Sequence, residues 1–255
     1  QEDLARIMTI EQGKPLQESR GEIVYGASFV EWFAEEAKRV YGDIIPDRFT
    51  DRRTIVIKQP IGVVGAITPW NFPSSMITRK CAPALAVGCT VVIKPASQTP
   101  YSALALGVLA EQAGIPKGVI NIITGSSQEI GQELSTSPLV RKLSFTGSTE
   151  VGKLLLQYAG QSNMKKVSLE TGGKSPMIFF ADLPNMDQAV DTAYDSIYAN
   201  MGEVCNAGSR IYVERSLYSD FVDQFIAKGQ GAYTPGDPLD PETVSYTHLT
   251  LPTKA

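Results

Sequence analysis

From Arg52 onward, apolar segments of strand length alternate with helical stretches, and this alternation constrains the fold more than any other feature of the chain. The predicted strands are Thr54–Ile57, Gly62–Thr68, Thr90–Lys94, Val119–Thr124, Lys142–Phe145, Val167–Leu169 and Pro176–Phe180. The predicted helices are Ser74–Val87, Ser102–Ala113, Gln128–Leu134, Glu150–Ala159, Met186–Met201 and Ser216–Lys228. Apolar residues spaced by three and four also predict helix over residues 1–42. Such alternation indicates an α/β fold whose parallel sheet is covered on both faces.

The composition limits the chemistry that this chain can perform. Its net charge is −4, and no apolar run approaches the roughly 18 residues that span a bilayer, so we expect no nucleic-acid partner and no membrane. Cys81, Cys89 and Cys205 form no C-x-x-C pair, and we expect no metal and a reducing, cytoplasmic compartment. The single histidine, His248, falls in a segment that we expect to be foreign to the protein, so a general base would be a carboxylate or a lysine.

Ligands bind parallel α/β sheets at the carboxyl ends of their strands, so polar residues that follow the predicted strands are candidate ligand contacts. Gly147 and Ser148 stand where a strand meets a helix, and the free backbone N–H groups there can hold a phosphate. Lys94 ends another strand and could meet a ribose or a phosphate. The alternatives are that Ser148 is an ordinary helix N-cap and that Lys94 is a solvated turn lysine.

Three further residues are candidates for catalysis. Cys205 lies in a polar, glycine-flanked loop, whereas the other two cysteines have apolar neighbours, so Cys205 is the candidate reactive thiol. Glu170 precedes Gly172 and Gly173, whose turn could hold the carboxylate in a cleft. The amide of Asn71 could donate to an oxyanion. The alternatives are an inert cysteine, a surface carboxylate and a turn asparagine.

Six motifs, taken together and in order, resemble the aldehyde dehydrogenase superfamily from about Gln1 to Thr243. They are EQGKPL, PWNFP, KPASQTP, FTGST-x-x-G, LETGGKSP and GEVCNAGSR. The resemblance implies a parallel-sheet, Rossmann-like NAD(P)-binding domain and the start of a catalytic α/β domain. It also implies a small-molecule aldehyde as substrate, NADP or NAD as cofactor, and a homo-oligomer, either a dimer or a tetramer.

The resemblance assigns roles by position. Cys205 resembles the nucleophile, Glu170 the base that activates water, and Asn71 a donor to the oxyanion. The positions that resemble cofactor-binding residues are Thr68, Trp70, Asn71, Lys94, Ala96, Ser97, Gly147, Ser148 and Thr171. Many relatives carry glutamate where Ser97 stands, and a carboxylate would repel a 2′-phosphate, so the serine favours NADP. Thr171 replaces the more usual leucine, and we have no explanation for that change.

The resemblance also predicts the division of the chain. We expect residues 1–169 to form the NAD(P)-binding domain, with 43–60 in strands that join subunits, and residues 170–243 to form an incomplete catalytic domain. The part up to about Gly131 resembles succinate-semialdehyde dehydrogenases, whereas Ser162–Thr243 resembles γ-glutamyl-γ-aminobutyraldehyde dehydrogenases. A mosaic lineage and a chimeric assembly both stay open. We expect residues 244–255 to derive from a sequencing adapter and the chain by itself to be inactive.

Two other functions remain as alternatives. A non-catalytic remnant could bind nucleotide or serve as a structural subunit, but the joint presence of Asn71, Glu170 and Cys205 argues against it. An acylating enzyme would pass the acyl group to coenzyme A instead of water. Glu170 argues against that branch, because a base that activates water is unnecessary there.

Overall fold

A computed structural model describes residues 1–232 and 236–240, and the segment 244–255 lies outside the described residues. The strands are β1 (Asp43–Ile45), β2 (Thr54–Val56), β3 (Val63–Ile67), β4 (Thr90–Lys94), β5 (Ile120–Ile122), β6 (Val140–Gly147), β7 (Lys166–Thr171), β8 (Pro176–Phe179) and β9 (Arg210–Val213). The helices are α1 (Glu2–Gln12), α2 (Leu16–Glu36), α3 (Ser75–Ala86), α4 (Pro100–Gln112), α5 (Ser127–Thr136), α6 (Thr149–Gly160), α7 (Met186–Tyr198) and α8 (Tyr218–Ala232). The predicted helices and strands are therefore present, with ends that differ by a few residues.

The helix predicted over residues 1–42 is interrupted. Gly13 has a φ of 89°, a left-handed conformation that glycine adopts without a steric penalty, and its backbone N–H caps α1 by donating to Thr9 O. The apolar pattern did not predict β1 and β9, because strands of three and four residues with exposed or half-buried side chains leave little such pattern; β1 falls in the segment 43–60, where strands were expected from the resemblance alone.

Backbone contacts divide the chain into two compact units, residues 22–170 and residues 1–21 with 171 onward. The boundary after Glu170 lies one residue from the predicted one. Residues 1–21, however, pack with the unit that we expected to be catalytic, not with the cofactor-binding unit. The reason is hydrogen bonding between residues far apart in the chain, since Leu16 N donates to Pro238 O and Gln12 Nε2 donates to Glu203 Oε2.

The unit of residues 22–170 contains a five-stranded sheet of order β5-β4-β3-β6-β7. β3 pairs in parallel with both β4 and β6, and β4 pairs in parallel with β5, which confirms the predicted parallel sheet. The chain builds outward from β3 in one direction and then returns to add β6 on the other side. A crevice therefore opens beyond the carboxyl ends of β3 and β6, at the point where the strand order reverses.

Both faces of this sheet are covered. On one face Val64, Ile93 and Cys81 belong to a buried apolar cluster that includes residues of α3 and α4. On the other, Leu143 and Leu155 belong to a cluster that includes residues of α5 and α6. Burial of this kind contributes about 25 cal/mol for each Å² of apolar surface removed from water, and it fixes the strand ends that carry the candidate site.

β1 and β2 form an antiparallel hairpin within the same unit, with Ile44 opposite Ile55. These two side chains are 77% and 65% exposed. Their exposure is compatible with the predicted role of residues 43–60 in joining subunits, and that role stays a prediction.

The unit of residues 1–21 and 171 onward contains the parallel pair β8 and β9 together with α7 and α8. Ala193 and Phe221 are fully or almost fully buried between these helices. The loop between α7 and β9 carries Cys205.

Candidate active site

A cavity of about 580 Å³ lies beyond the carboxyl ends of β3, β4 and β6. This volume is within the usual range for a bound cofactor or small ligand. Seven of the predicted cofactor-binding residues line it, namely Thr68, Trp70, Lys94, Ala96, Ser97, Gly147 and Ser148. The parallel sheet brings them together because each follows or ends a strand at the same edge.

Lys94 is buried, with 2% of its surface exposed, and is not the solvated turn lysine of the alternative reading. Its ammonium donates to Pro95 O at 2.7 Å and to Ser127 Oγ at 3.2 Å. Burial lowers the pKa of Lys94, since the charged form loses hydration. A buried cation in a cavity is a strong contact for an anionic ligand, because little solvent screens its charge.

Ser127, which was not predicted from the sequence, belongs to the same corner of the cavity. Its Oγ lies 3.3 Å from Ser97 Oγ and accepts the hydrogen bond from Lys94. Ser127 is the first residue of α5, whose N-cap Ser126 accepts a hydrogen bond from the backbone N–H of Glu129. The spacing of Ser126 and Glu129 is that of a capping box, so this helix start could have been recognised in the sequence.

Gly147 ends β6 and Ser148 caps α6, as the alternative reading expected, and the phosphate-binding role of Ser148 stays a prediction. Its Oγ accepts a hydrogen bond from Val151 N at 3.3 Å, which leaves the hydroxyl proton able to donate to a ligand. A Cβ at position 147 would lie only 2.5 Å from Cζ of Phe145, so a side chain here would displace the aromatic ring. The helix start therefore presents backbone N–H groups with no side chain in front of them.

Two hydroxyl oxygens indicate that the cavity is built for a polar ligand. Oγ1 of Thr68 and Oγ1 of Thr146 are buried and have no hydrogen-bond partner among the described residues. Both residues line the cavity. A buried hydroxyl without a partner is unfavourable by about 1–3 kcal/mol, and a ligand with ribose and phosphate oxygens would satisfy both groups.

Asn71 and Thr171 are the two predicted cofactor residues that do not line this cavity. Asn71 follows Trp70 in the loop that leads to α3 and is half-buried. Thr171 ends β7 and belongs to the other compact unit. Their predicted contact with the cofactor stays a prediction.

Glu170 is exposed at the end of β7, as its alternative reading expected, and is not enclosed by a glycine turn. Neither Gly172 nor Gly173 has a positive φ, and β7 extends through Thr171. The carboxylate lines a second cavity of about 340 Å³ together with Arg79, Lys80 and Lys142. Burial lowers the pKa of Lys80 to about 8, while the negative charge of Glu170 partly opposes that shift. Three basic side chains therefore line the same cavity as the carboxylate.

Cys205 is the exposed cysteine among the three, whereas Cys81 and Cys89 are buried. Burial raises the pKa of the Cys81 thiol to about 12, so that residue is a packing group and not a nucleophile. The backbone oxygen of Cys205 accepts a hydrogen bond from Gly173 N at 3.1 Å. The loop of Cys205 is thereby joined to the segment that follows β7 within the same unit.

Glu203, two residues before Cys205, was not singled out in the sequence. Its Oε2 accepts a hydrogen bond from Gln12 Nε2 at 2.9 Å. Burial raises the pKa of Glu203 to about 7, and the Gln12 hydrogen bond and the Lys14 charge oppose the shift only in part. A carboxyl of ordinary appearance in the sequence therefore titrates near neutrality in the fold.

Replacing Glu203 by glutamine should stabilise the protein above neutral pH. The folded-state pKa exceeds the ordinary value of 4.5, so the unfolding free energy is highest below pH 4.5 and falls as the pH rises through 7. For a half-buried group this loss is about 1–2 kcal/mol. Urea unfolding at pH 5 and pH 8 should show Glu203→Gln more stable than wild type at pH 8 alone. Exposed Glu31→Gln is the control, and an equal effect of Glu203→Gln at both pH values would contradict the assignment.

Two further features are absent from residues 1–232 and 236–240. No helix there combines the length and apolar character needed to cross a membrane. No group of three or more acidic, cysteine or histidine side chains in the same residues could hold a metal ion.

The sequence profile described as "Aldehyde dehydrogenase family" matches residues 1–248. The chain is 62% identical over 227 residues to glutarate-semialdehyde dehydrogenase of Pseudomonas aeruginosa, covering 89% of this chain and 47% of that relative. It is 58% identical over 243 residues to succinate-semialdehyde dehydrogenase [NADP(+)] of Escherichia coli, covering 94% of this chain and 49% of that relative. The chain thus spans about half the length of the curated relatives that it matches.

Solved structures agree with this result. The crystal structure of succinate-semialdehyde dehydrogenase from Burkholderia pseudomallei matches with a TM-score of 0.93 and 49% identity. The match covers 96% of this chain and 50% of that one.

Proposed function

This chain belongs to the aldehyde dehydrogenase family, and from that premise we propose that the protein oxidises an aldehyde to a carboxylic acid with NADP or NAD as hydride acceptor. The observation that carries the proposal is the cavity at the reversal of strand order, which is lined by buried Lys94 and by the helix start at Ser148. An exposed cysteine and an exposed carboxylate, Cys205 and Glu170, supply the two reactive groups that such an oxidation requires.

The cavity has the chemistry to hold the cofactor. The N–H groups at the start of α6 and the hydroxyl of Ser148 would bind the pyrophosphate, and Lys94 with Ser97 would bind the adenosine ribose. Thr68 and Thr146 offer hydroxyls that satisfy their hydrogen bonds when a polar ligand enters. When bound, the nicotinamide accepts a hydride together with its electron pair.

Cys205 is proposed to form the covalent intermediate. Its thiolate would attack the aldehyde carbon, and the carbonyl π electrons would move to oxygen to give a thiohemiacetal oxyanion. The Asn71 amide and the Cys205 backbone N–H would stabilise that oxyanion, by roughly 3–4 kcal/mol for each donor in comparable sites. Loss of a hydride from the same carbon would re-form the C=O bond and leave a thioester on Cys205.

Glu170 is proposed to act as the base that removes the acyl group. It would take a proton from water, the hydroxide would attack the thioester, and the carboxylic acid would leave as the C–S bond breaks and the thiolate returns. Lys80 and Lys142 line the same cavity as this carboxylate.

The substrate proposed is succinate semialdehyde or a related aldehyde derived from an amino compound. The names of the two relatives above, which act on four- and five-carbon semialdehydes, support that class. A homo-oligomer is proposed as well, with the exposed isoleucines of the β1–β2 hairpin as a contact surface.

The test is cofactor reduction by the full-length enzyme that carries this chain, followed at 340 nm with succinate semialdehyde, with and without coenzyme A. Aldehyde-dependent reduction that does not need coenzyme A is expected. A strict requirement for coenzyme A would identify the acylating branch, and absence of any reduction would identify a non-catalytic protein.

Ser97 should set the choice between the two cofactors. We expect the wild-type enzyme to use NADP at least as well as NAD, because the buried Lys94 cation lies next to Ser97 and Ser127 and no carboxylate opposes a 2′-phosphate. Ser97→Glu should lower kcat/KM for NADP by about tenfold to hundredfold relative to NAD. Ser97→Gln is the matched control, because it has the same size without the charge. Strong NAD preference in the wild type would contradict this prediction.

A further inference from the structure

Buried polar side chains pack against the segment that leads into Cys205, all within the unit of residues 1–21 and 171 onward. Gln12 and Lys14 are each 1% exposed, and Asn200 is 3% exposed. Burying polar and charged groups is unfavourable unless they are hydrogen-bonded or paired. The apolar contacts of α7 and α8 already provide a core for this unit, so the polar set is not needed to fill space.

The backbone that this set contacts is unusual. Asn200, Met201 and Gly202 have φ values of 51°, 60° and 78°, so three consecutive residues are left-handed. A left-handed methionine is strained and persists only where surrounding contacts hold it. Asn200 N donates to Glu18 Oε2 at 2.8 Å, and Asn200 Nδ2 donates to Glu203 O at 3.2 Å. These bonds hold both ends of the turn that precedes Cys205.

The side chain of Glu203 joins this turn to the start of the chain. Gln12, the last residue of α1, donates to its carboxyl, and Lys14 in the α1–α2 connection faces it with a positive charge. The same ammonium faces Glu18 on α2. The raised pKa of Glu203 and the lowering effect of Lys14 agree with a carboxyl that is held in a partly dry site opposite a cation.

We propose that Glu203 is a positioning residue for Cys205: its carboxyl anchors the left-handed turn to Gln12 and Lys14, and so fixes the orientation of the nucleophile loop. The proposal rests on the assignment of Cys205 as nucleophile in the proposed function. Burial makes the ionised carboxyl of Glu203 unfavourable in this fold, so the loop is held best while Glu203 is protonated, below neutral pH. Glutamine retains the acceptor oxygen but not the charge, whereas alanine removes both.

The test uses the full-length enzyme that carries this chain, in Glu203→Gln, Glu203→Ala and control Asp3→Asn forms, the last an exposed carboxylate in the same unit. Two assays are carried out from pH 5.5 to 9. The first gives kcat and KM for the aldehyde, and the second gives the rate at which iodoacetamide alkylates Cys205, followed by mass spectrometry of its peptide. The alkylation rate needs no turnover.

Wild-type kcat/KM and alkylation should both show an inflection near pH 7 in addition to that of the thiol. Glu203→Gln should lose this inflection while kcat above pH 7 stays within about tenfold of wild type, and Glu203→Ala should lose about tenfold to hundredfold in kcat with little change in KM. Asp3→Asn should match wild type. The proposal is overturned if the inflection survives in Glu203→Gln, or if Glu203→Ala keeps wild-type kcat.

The experiment distinguishes failure of the proposed aldehyde oxidation from failure of the positioning role of Glu203. A wild-type enzyme that reduces no cofactor would refute aldehyde oxidation, yet the pH profile of Cys205 alkylation in the same three variants would still decide whether Glu203 positions the loop. Loss of the inflection in Glu203→Gln would support the positioning role, and its retention would overturn it.

Discussion

Replacing Cys205 by serine is expected to abolish aldehyde oxidation in the full-length enzyme that carries this chain, with kcat lowered by at least about 10³-fold. A serine hydroxyl is not ionised near neutral pH, and no histidine is available among the described residues to activate it. Binding of the cofactor should be unchanged, because the residues proposed to hold it, such as Lys94 and Ser148, are left in place. Steady-state cofactor reduction and a separate fluorescence titration of the cofactor measure the two effects.

Cys81→Ala is the control for this experiment. Cys81 is 5% exposed and contacts the apolar cluster on one face of the sheet, so its loss should cost some stability but leave kcat within about threefold of wild type. Appreciable turnover in Cys205→Ser, or loss of turnover in a folded Cys81→Ala protein, would show that the reactive thiol has been assigned to the wrong residue.

Replacing Glu170 by glutamine is expected to separate the two halves of the reaction. Hydride transfer needs the thiolate, whereas release of the acid needs a base, so the variant should reduce about one cofactor per active site in a rapid burst. Steady turnover after the burst should fall by about 10²–10⁴-fold. Stopped-flow measurement of cofactor reduction resolves the burst from the later rate.

The exposed Glu150→Gln variant, in the first turn of α6, is a suitable control for charge removal. It should change neither the burst nor the later rate by more than about threefold. If the burst and the steady rate of Glu170→Gln fell by the same factor, Glu170 would instead be activating the thiol, and the proposed order of events would be wrong.

The sheet and the position of the cofactor cavity could be predicted from the sequence because parallel strands are nearly continuous apolar runs, as Thr90–Lys94 illustrates. The rule that ligands bind at carboxyl ends of strands then selected Lys94, Gly147 and Ser148. The cavity contains all three. The pattern could not predict how buried each of these side chains is, since a lysine before a proline gives no sign that its ammonium will be buried.

Other features depend on contacts between residues far apart in the chain. The packing of residues 1–21 with the unit that begins at Thr171 rests on pairs such as Gln12 and Glu203, which no periodicity reveals. The raised pKa of Glu203 has the same origin. The glycines after Glu170 suggested a turn that could hold its carboxylate in a cleft; the carboxylate does line a cavity, but β7 extends through Thr171 before those glycines.

The covalent state of Cys205 during turnover tests the central claim most directly. Full-length Glu170→Gln enzyme is mixed with succinate semialdehyde and NADP, quenched in acid within the burst, digested and analysed by mass spectrometry. The account predicts that the peptide containing Cys205 gains the mass of the acyl group, and that it does not when the cofactor is omitted. Acylation of another residue, or cofactor reduction without any acylated Cys205, would contradict it.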